Sequence, residues 1–364
     1  MIIIMTLELV EKIVNAVLYE GYILYPYRPS STKNRQRFTF GRIYPQEFSE
    51  AQRGVEPFAM QTQCLVESGT DEPVLAVAVR FLQPMAREVK KLAEPLPGWL
   101  PDEEAAFQIV PEMRLDGRIY QTWQEVRERL VPVHPILLSE LVTRPCHTPF
   151  AFAASRTLEP IENDAGAVVG VVARRHMAVA GRVEISAAML TADLFKITVQ
   201  ILNLTEMDET AAASGTEAEA VLMRTFASTH TILTMRNGKF VSMMNPPPEH
   251  AAAVAACENN GTWPILVGDE AAGERDTLLS SPIILYDYPE IAPESPGDLF
   301  DGTEIDEILT LRIMTMTDEE KWEMSHVDER ARQILQRTKW MSADHLMQMH
   351  GTMRNMRPIE GSES

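Results

Sequence analysis

Apolar residues recur at helical spacing in residues 6–20, "TLELVEKIVNAVLYE", where Leu7, Val10, Val14, Val17 and Leu18 share one face. Thr6 can cap this helix and Gly21 ends it. From residue 58 the period changes to two. "FAMQTQCLVES" alternates, "GTDEP" turns and "VLAVAVRFLQ" alternates again, which predicts a strand pair over 58–83. In "TWQEVRERL", 122–130, Thr122 and Glu125 stand at capping-box spacing and predict a short helix. Between 150 and 243 β signals dominate, and a second strand pair over 183–203 echoes the first. Two β-sandwich-like units, or one sandwich assembled from both pairs, fit this pattern.

The acidic, small-residue stretch 206–219 reads as a loop. "GKFVSMMNPPPEH" ends a strand in a proline turn, and an Ala-rich helix is expected over 249–258. "PIILYDYPEIAPESPGD" reads as a strand followed by a proline-rich linker. Beyond it the pattern turns helical, with Thr303 as a cap, Thr317 and Glu320 as a capping box, and Ser342 before a last helix. The expected fold is α+β: a β-sandwich-like core with an N-terminal helix and a C-terminal helical tail. Three regions follow, 1–150, 151–290 and 291–364, the first carrying a basic aromatic segment.

Composition narrows the functional classes. A chain of 364 residues with 45% hydrophobic and 23% charged residues is an ordinary globular balance, long enough for two cores. Its formal net charge of −19 argues against nucleic acid and anionic membranes as partners. "MIIIM" is too short to span a membrane and lacks the marks of an export signal. Three widely spaced cysteines, Cys64, Cys146 and Cys257, suit a reducing cytoplasm.

Charge is also unevenly placed. Residues 287–329 hold 14 acidic and 2 basic residues, whereas 330–357 hold 6 basic and 1 acidic. Such blocks mark solvated faces or docking surfaces more often than catalytic sites. Against this background one segment stands out. Residues 25–44 interleave Arg28, Lys33, Arg35, Arg37 and Arg42 with Tyr25, Tyr27, Phe38, Phe40 and Tyr44. Guanidinium groups beside rings suit carboxylate or phosphate recognition. Tyr25, Tyr27, Arg28, Lys33, Arg35, Arg37 and Arg42 are the candidate binding residues, for an acidic patch of a partner protein or a small anion; pairing with the chain's own acids is the structural alternative.

Catalytic motifs are not found: the sequence holds no GxSxG, GxGxxG, P-loop, HExxH or CxxC pattern. Cys146 and His147 are adjacent and would point apart on a strand, and His345 and His350 diverge on a helix. The acidic run Asp298, Asp301, Glu304, Asp306, Glu307 lacks calcium-loop spacing and reads more simply as helix N-terminal acids. No metal or cofactor is expected. Twenty methionines fill the core or form an adaptable docking surface.

Four stretches together, "EGYILYPYRPSSTKNRQRFTFGRIYP", "MQTQCLVE", "SPGDLFDGTEIDEILTLRIMTMTDEEKWEM" and "RARQILQRT" with "HLMQMHGTMR", carry a resemblance. They resemble an accessory family encoded beside high-affinity, oxygen-tolerant uptake nickel–iron hydrogenase genes in soil bacteria. The resemblance implies a role in maturation or assembly, or as a bound accessory subunit, and brings no catalytic residues with it. The expectation is a cytoplasmic, non-catalytic protein that docks on hydrogenase subunits or maturation factors. The alternatives are an enzyme or binding protein for a small anionic metabolite at the basic segment, and a self-assembling scaffold forming a homo-oligomer.

Overall fold

The computed structural model describes residues 40–69, 71–98, 106–207, 217–289 and 313–318, most of 10–18, and isolated positions between 321 and 336. The basic segment up to residue 39 and the acidic run 298–307 lie outside the described residues, as does most of 330–357. The capped helices expected after the linker fall mainly there too.

The described chain is mostly β, with short helices between antiparallel strands. A five-stranded sheet runs β13 (Gly238–Phe240), β1 (Ala59–Ser68), β11 (Leu194–Asn203), β10 (Val179–Met189) and β7 (Cys146–Phe152). An eight-stranded sheet runs β14 (Trp263–Val267), β15 (Thr277–Ser281), β12 (Ala227–Arg236), β2 (Val74–Leu96), β9 (Val168–His176) and β8 (Ser155–Glu162). β3 (Phe107–Val110) and β6 (Trp123–Leu137) also pair with β2. A hairpin of β4 (Glu112–Leu115) and β5 (Arg118–Gln121) completes the set.

Period-two patterning sets the inward faces. Met60, Cys64 and Val66 of β1 join Ile197, Val199 and Ile201 of β11 in the largest apolar cluster. Leu75, Val77, Val79 and Phe81 of β2 enter the same cluster from the other sheet. Phe81 is its centre, with Phe226 at 4.5 Å and Phe150 and Phe152 each at 6.0 Å between ring centroids. Each such side chain contributes about 1.5–3 kcal/mol by leaving water. A hydroxyl chain bridges the sheets: Ser280 Oγ lies 2.7 Å from Thr62 Oγ1 and 2.6 Å from Thr262 Oγ1. On the opposite face of the eight-stranded sheet, buried Val10, Ile13, Val14 and Val17 pack on Ile265, Val267 and Leu279. Arg80 donates to Asn15 Oδ1 across that contact at 2.8 Å.

Three expectations are corrected. Residues 122–130 are not a helix but the first half of β6, laid antiparallel along β2. Thr122 makes no cap; its hydroxyl donates to the Val110 carbonyl at 2.7 Å and accepts the Val89 N–H at 2.8 Å. The strands within 58–83 exist but do not pair with each other: β1 pairs with β11 and β13, β2 with β12, β6, β9 and β3. The strand expected at the start of "PIILYDYPEIAPESPGD" does not form: β15 ends at Ser281, and Pro282 supplies no N–H to extend the ladder. The 183–203 pair does form, with Val183 opposite Ile201 and Ala187 opposite Ile197. Both sheets draw strands from either side of residue 150, so the regions 1–150 and 151–290 share their sheets.

Candidate functional site

Of the predicted binding residues, Tyr25, Tyr27, Arg28, Lys33, Arg35 and Arg37 lie outside the described residues, and Arg42 alone is placed. Arg42 is half-buried and already engaged within the chain. Its surroundings show how residues 40–43 join the core. β12 begins with an irregular register between Ala227 and His230, and Ser228 there takes φ +48°. The exposed backbone groups of this bulge are met by residues 40–43. Ile43 and Phe226 exchange N–H···O bonds of 2.8 and 3.0 Å, and Ser228 N–H donates to the Phe40 carbonyl at 2.8 Å. Asn203, fully buried, donates to the Ile43 and Arg224 carbonyls at 2.9 and 2.8 Å. Gly41 has φ +51° and lies so close to Pro282 that a Cβ would sit 2.5 Å from the ring. Only glycine fits there. Ile43 is buried, whereas Phe40, nearer the basic residues, is 44% exposed.

A cleft of about 1000 Å³ lies at the far ends of β1, β12, β13 and the 272–276 loop. At its wall Glu67 Oε1 meets His250 Nε2 at 2.8 Å and Glu67 Oε2 meets an Arg275 guanidinium nitrogen at 3.1 Å. His250 Nδ1 bonds to nothing among the described residues. Asp193, also lining the cleft, is held below the usual carboxylate range, chiefly by the Thr191 hydroxyl that donates to it. Lys239 and Arg236 line the same space. An imidazole anchored by a carboxylate is a fixed proton donor or acceptor, so the wall can exchange hydrogen bonds with a polar guest. Sequence reasoning passed over this trio: Glu67 and His250 stand 183 residues apart and no local spacing links them.

The other candidates resolve as structure. Cys146 and His147 alternate across β7, with His147 Nδ1 3.5 Å from Glu184 Oε1 on the side facing away from the thiol. Burial pushes the Cys64 thiol up. His230 is fully buried, its Nδ1 2.8 Å from the Ser228 carbonyl and its Nε2 3.2 Å from Ser281 Oγ, and burial pulls it down to about 4. Among the described residues no group of three or more His, Cys, Asp or Glu is arranged to hold a metal ion, and no helix is long and apolar enough to cross a membrane. A scan against protein-family models finds no match to the chain, and a search of curated proteins finds none either.

Proposed function

We propose that this chain is a non-catalytic binding protein whose β framework presents the 25–44 segment to an acidic surface of a partner protein. The observation that carries the reading is the clamp at residues 40–43. A basic, ring-flanked segment is tied at its C-terminal end to a backbone bulge by a set of main-chain bonds and a buried asparagine. Fixing one end lowers the entropy lost when the segment meets a partner. Arg28, Lys33, Arg35 and Arg37 would steer the encounter. The two sheets, sharing one apolar cluster, are read as a sandwich, which would make the platform stiff. The sequence resemblance supports hydrogenase subunits or their maturation factors as the partner, in the cytoplasm.

The test is affinity capture from cells that express a nickel–iron hydrogenase. Recovery of a hydrogenase subunit or maturation factor is expected, and the triple reversal Arg28→Glu, Arg35→Glu, Arg37→Glu should weaken it at least tenfold and flatten its salt dependence. Recovery of neither, or capture indifferent to the reversal, overturns the reading. A second reading, a small polar ligand in the cleft, is favoured by the Glu67–His250–Arg275 wall; His250→Gln would then abolish ligand binding without affecting partner capture.

A further inference from the structure

The register of β6 against β2 sets Arg129 opposite Phe81, Arg127 opposite Gln83 and Glu125 opposite Met85. Alternate side chains of β6 therefore continue the inward face of β2 past the aromatic centre of the core. The five-stranded sheet does not follow them. Its edge is β7, and Phe152 at the end of β7 lies under the Arg129 guanidinium, 4.3 Å away. Beyond that edge the inward face of the long sheet becomes a polar shelf. β9 reaches it too: Arg175 pairs with Ala86 and Arg174 with Arg87, which brings His176 alongside Met85 on the inward side.

The shelf is rigidly built. Buried Gln83 donates to the Met177 carbonyl at 2.7 Å and accepts Arg129 Nε–H at 2.7 Å, tying β2, β6 and the chain after β9 together. His176 is 3% exposed, yet neither of its ring nitrogens makes a hydrogen bond of good geometry; the Met177 backbone reaches it only in a poor one. A buried imidazole left so destabilises the fold until something donates to it or accepts from it. Arg87 and Arg174, further along, share Glu125 between them, and Arg80, Arg114 and Arg275 each hold a carboxylate. Arg127 and Arg129 hold none among the described residues. Burial and the Arg127 charge depress Arg129; burial, and after it both arginine charges, depress His176 against an opposing bond from the Met177 backbone, so the three groups feel one another's charge. In a chain with 52 acidic and 33 basic residues, two adjacent guanidinium groups without an acid are not a shortage of acids.

We propose that Arg127, Arg129 and His176 form a binding site for a small ligand bearing an oxyanion, a carboxylate or phosphate group, on the shelf beyond β7. Guanidinium forks match such oxygens two bonds at a time. A ring N–H of His176 adds a third donor, and its unpartnered state is relieved by the same anion. Phe152 walls the site on the core side. The proposal uses none of the residues 25–44 and stands or falls apart from the docking reading.

The experiment is calorimetric titration of the full chain with inorganic phosphate and, separately, with succinate, at ionic strength held constant with sodium chloride. Saturable binding of at least one is expected, and which one binds identifies the group. Arg127 is exposed, so Arg127→Gln leaves the fold intact; it should weaken binding at least fivefold and, with repulsion relieved, leave the ligand-free melting temperature equal or higher. Arg53→Gln, an exposed arginine in the 52–54 turn, should leave binding unchanged. Absence of saturable binding by both anions, equal affinity in Arg127→Gln, or an equal loss in Arg53→Gln overturns the proposal.

Discussion

His230 shows how a single buried side chain gives the molecule a pH dependence. In the unfolded chain an imidazole titrates near 6.5, and in the fold it is pulled down to about 4. Between those values the unfolded state binds the extra proton, so stability present at neutral pH is lost as pH falls, by up to about 3 kcal/mol. The urea midpoint should drop between pH 7 and pH 4.5, and His230→Gln, which can still donate to the Ser228 carbonyl, should remove most of that slope. His176, also depressed, leaves a residual slope of the same sign. An unaltered slope in the variant would remove His230 from the account. Gly41 offers a second test. Gly41→Ala combines a positive φ with contact against Pro282, while Gly54→Ala, at φ +76° with nothing within 4 Å, carries the strain alone. Strain costs about 1–3 kcal/mol, and denaturant unfolding should show Gly41→Ala losing clearly more than Gly54→Ala. Neither residue's importance was legible in the sequence. His230 carries no motif, and Gly41 is demanded by a proline 241 positions away.

Elements in this fold are protected where they end. β7 carries Pro149, β8 Pro160, β14 Pro264, and β6 carries Pro132 and Pro135, the latter in the register shift against β2. Each of these strands is at an edge, where a missing N–H costs nothing and a neighbouring chain finds no complete ladder to copy. Pro84 lies inside the central β2, but in the interval where β12 has ended at Leu82 and β9 begins at Ala86. Replacing both Pro149 and Pro264 by valine should speed aggregation under mild heating, followed by light scattering, with little change in the unfolding midpoint. Scattering no faster than in the parent chain would discount the edge role. The same strands explain what sequence reading recovered. β10 and β11 alternate cleanly because one face meets the core, and they were found. β6 was mistaken for a helix because its inward face past Leu130 carries Arg129, Arg127 and Glu125 in place of apolar residues. With no second sheet over that stretch, the apolar alternation that announces a strand is not needed and is not there. Which strand pairs with which is set by contacts far apart in sequence, so β1 and β2 looked like a hairpin and are not.

At the scale of the molecule, the interleaving of strands makes residues 59–281 depend on one another. β1 is built into the sheet of β10 and β11, and β12 lies against β2. Residues 151–290 expressed alone should therefore lack a cooperative thermal transition by circular dichroism, while the full chain shows one; a sharp transition in the fragment would mean its strands suffice. The candidate basic segment was legible as an anomaly of charge, whereas the shelf and the cleft were not, since each is assembled from strands distant in sequence. β2 itself carries a consequence for synthesis. This strand leaves the ribosome with much of its length waiting for β9 and β12, the latter roughly 130 residues downstream. At typical elongation rates that is on the order of ten seconds during which β6 can pair along one edge of β2 while its other edge stays open, so the newborn chain is a natural client for a chaperone that shields nascent apolar segments.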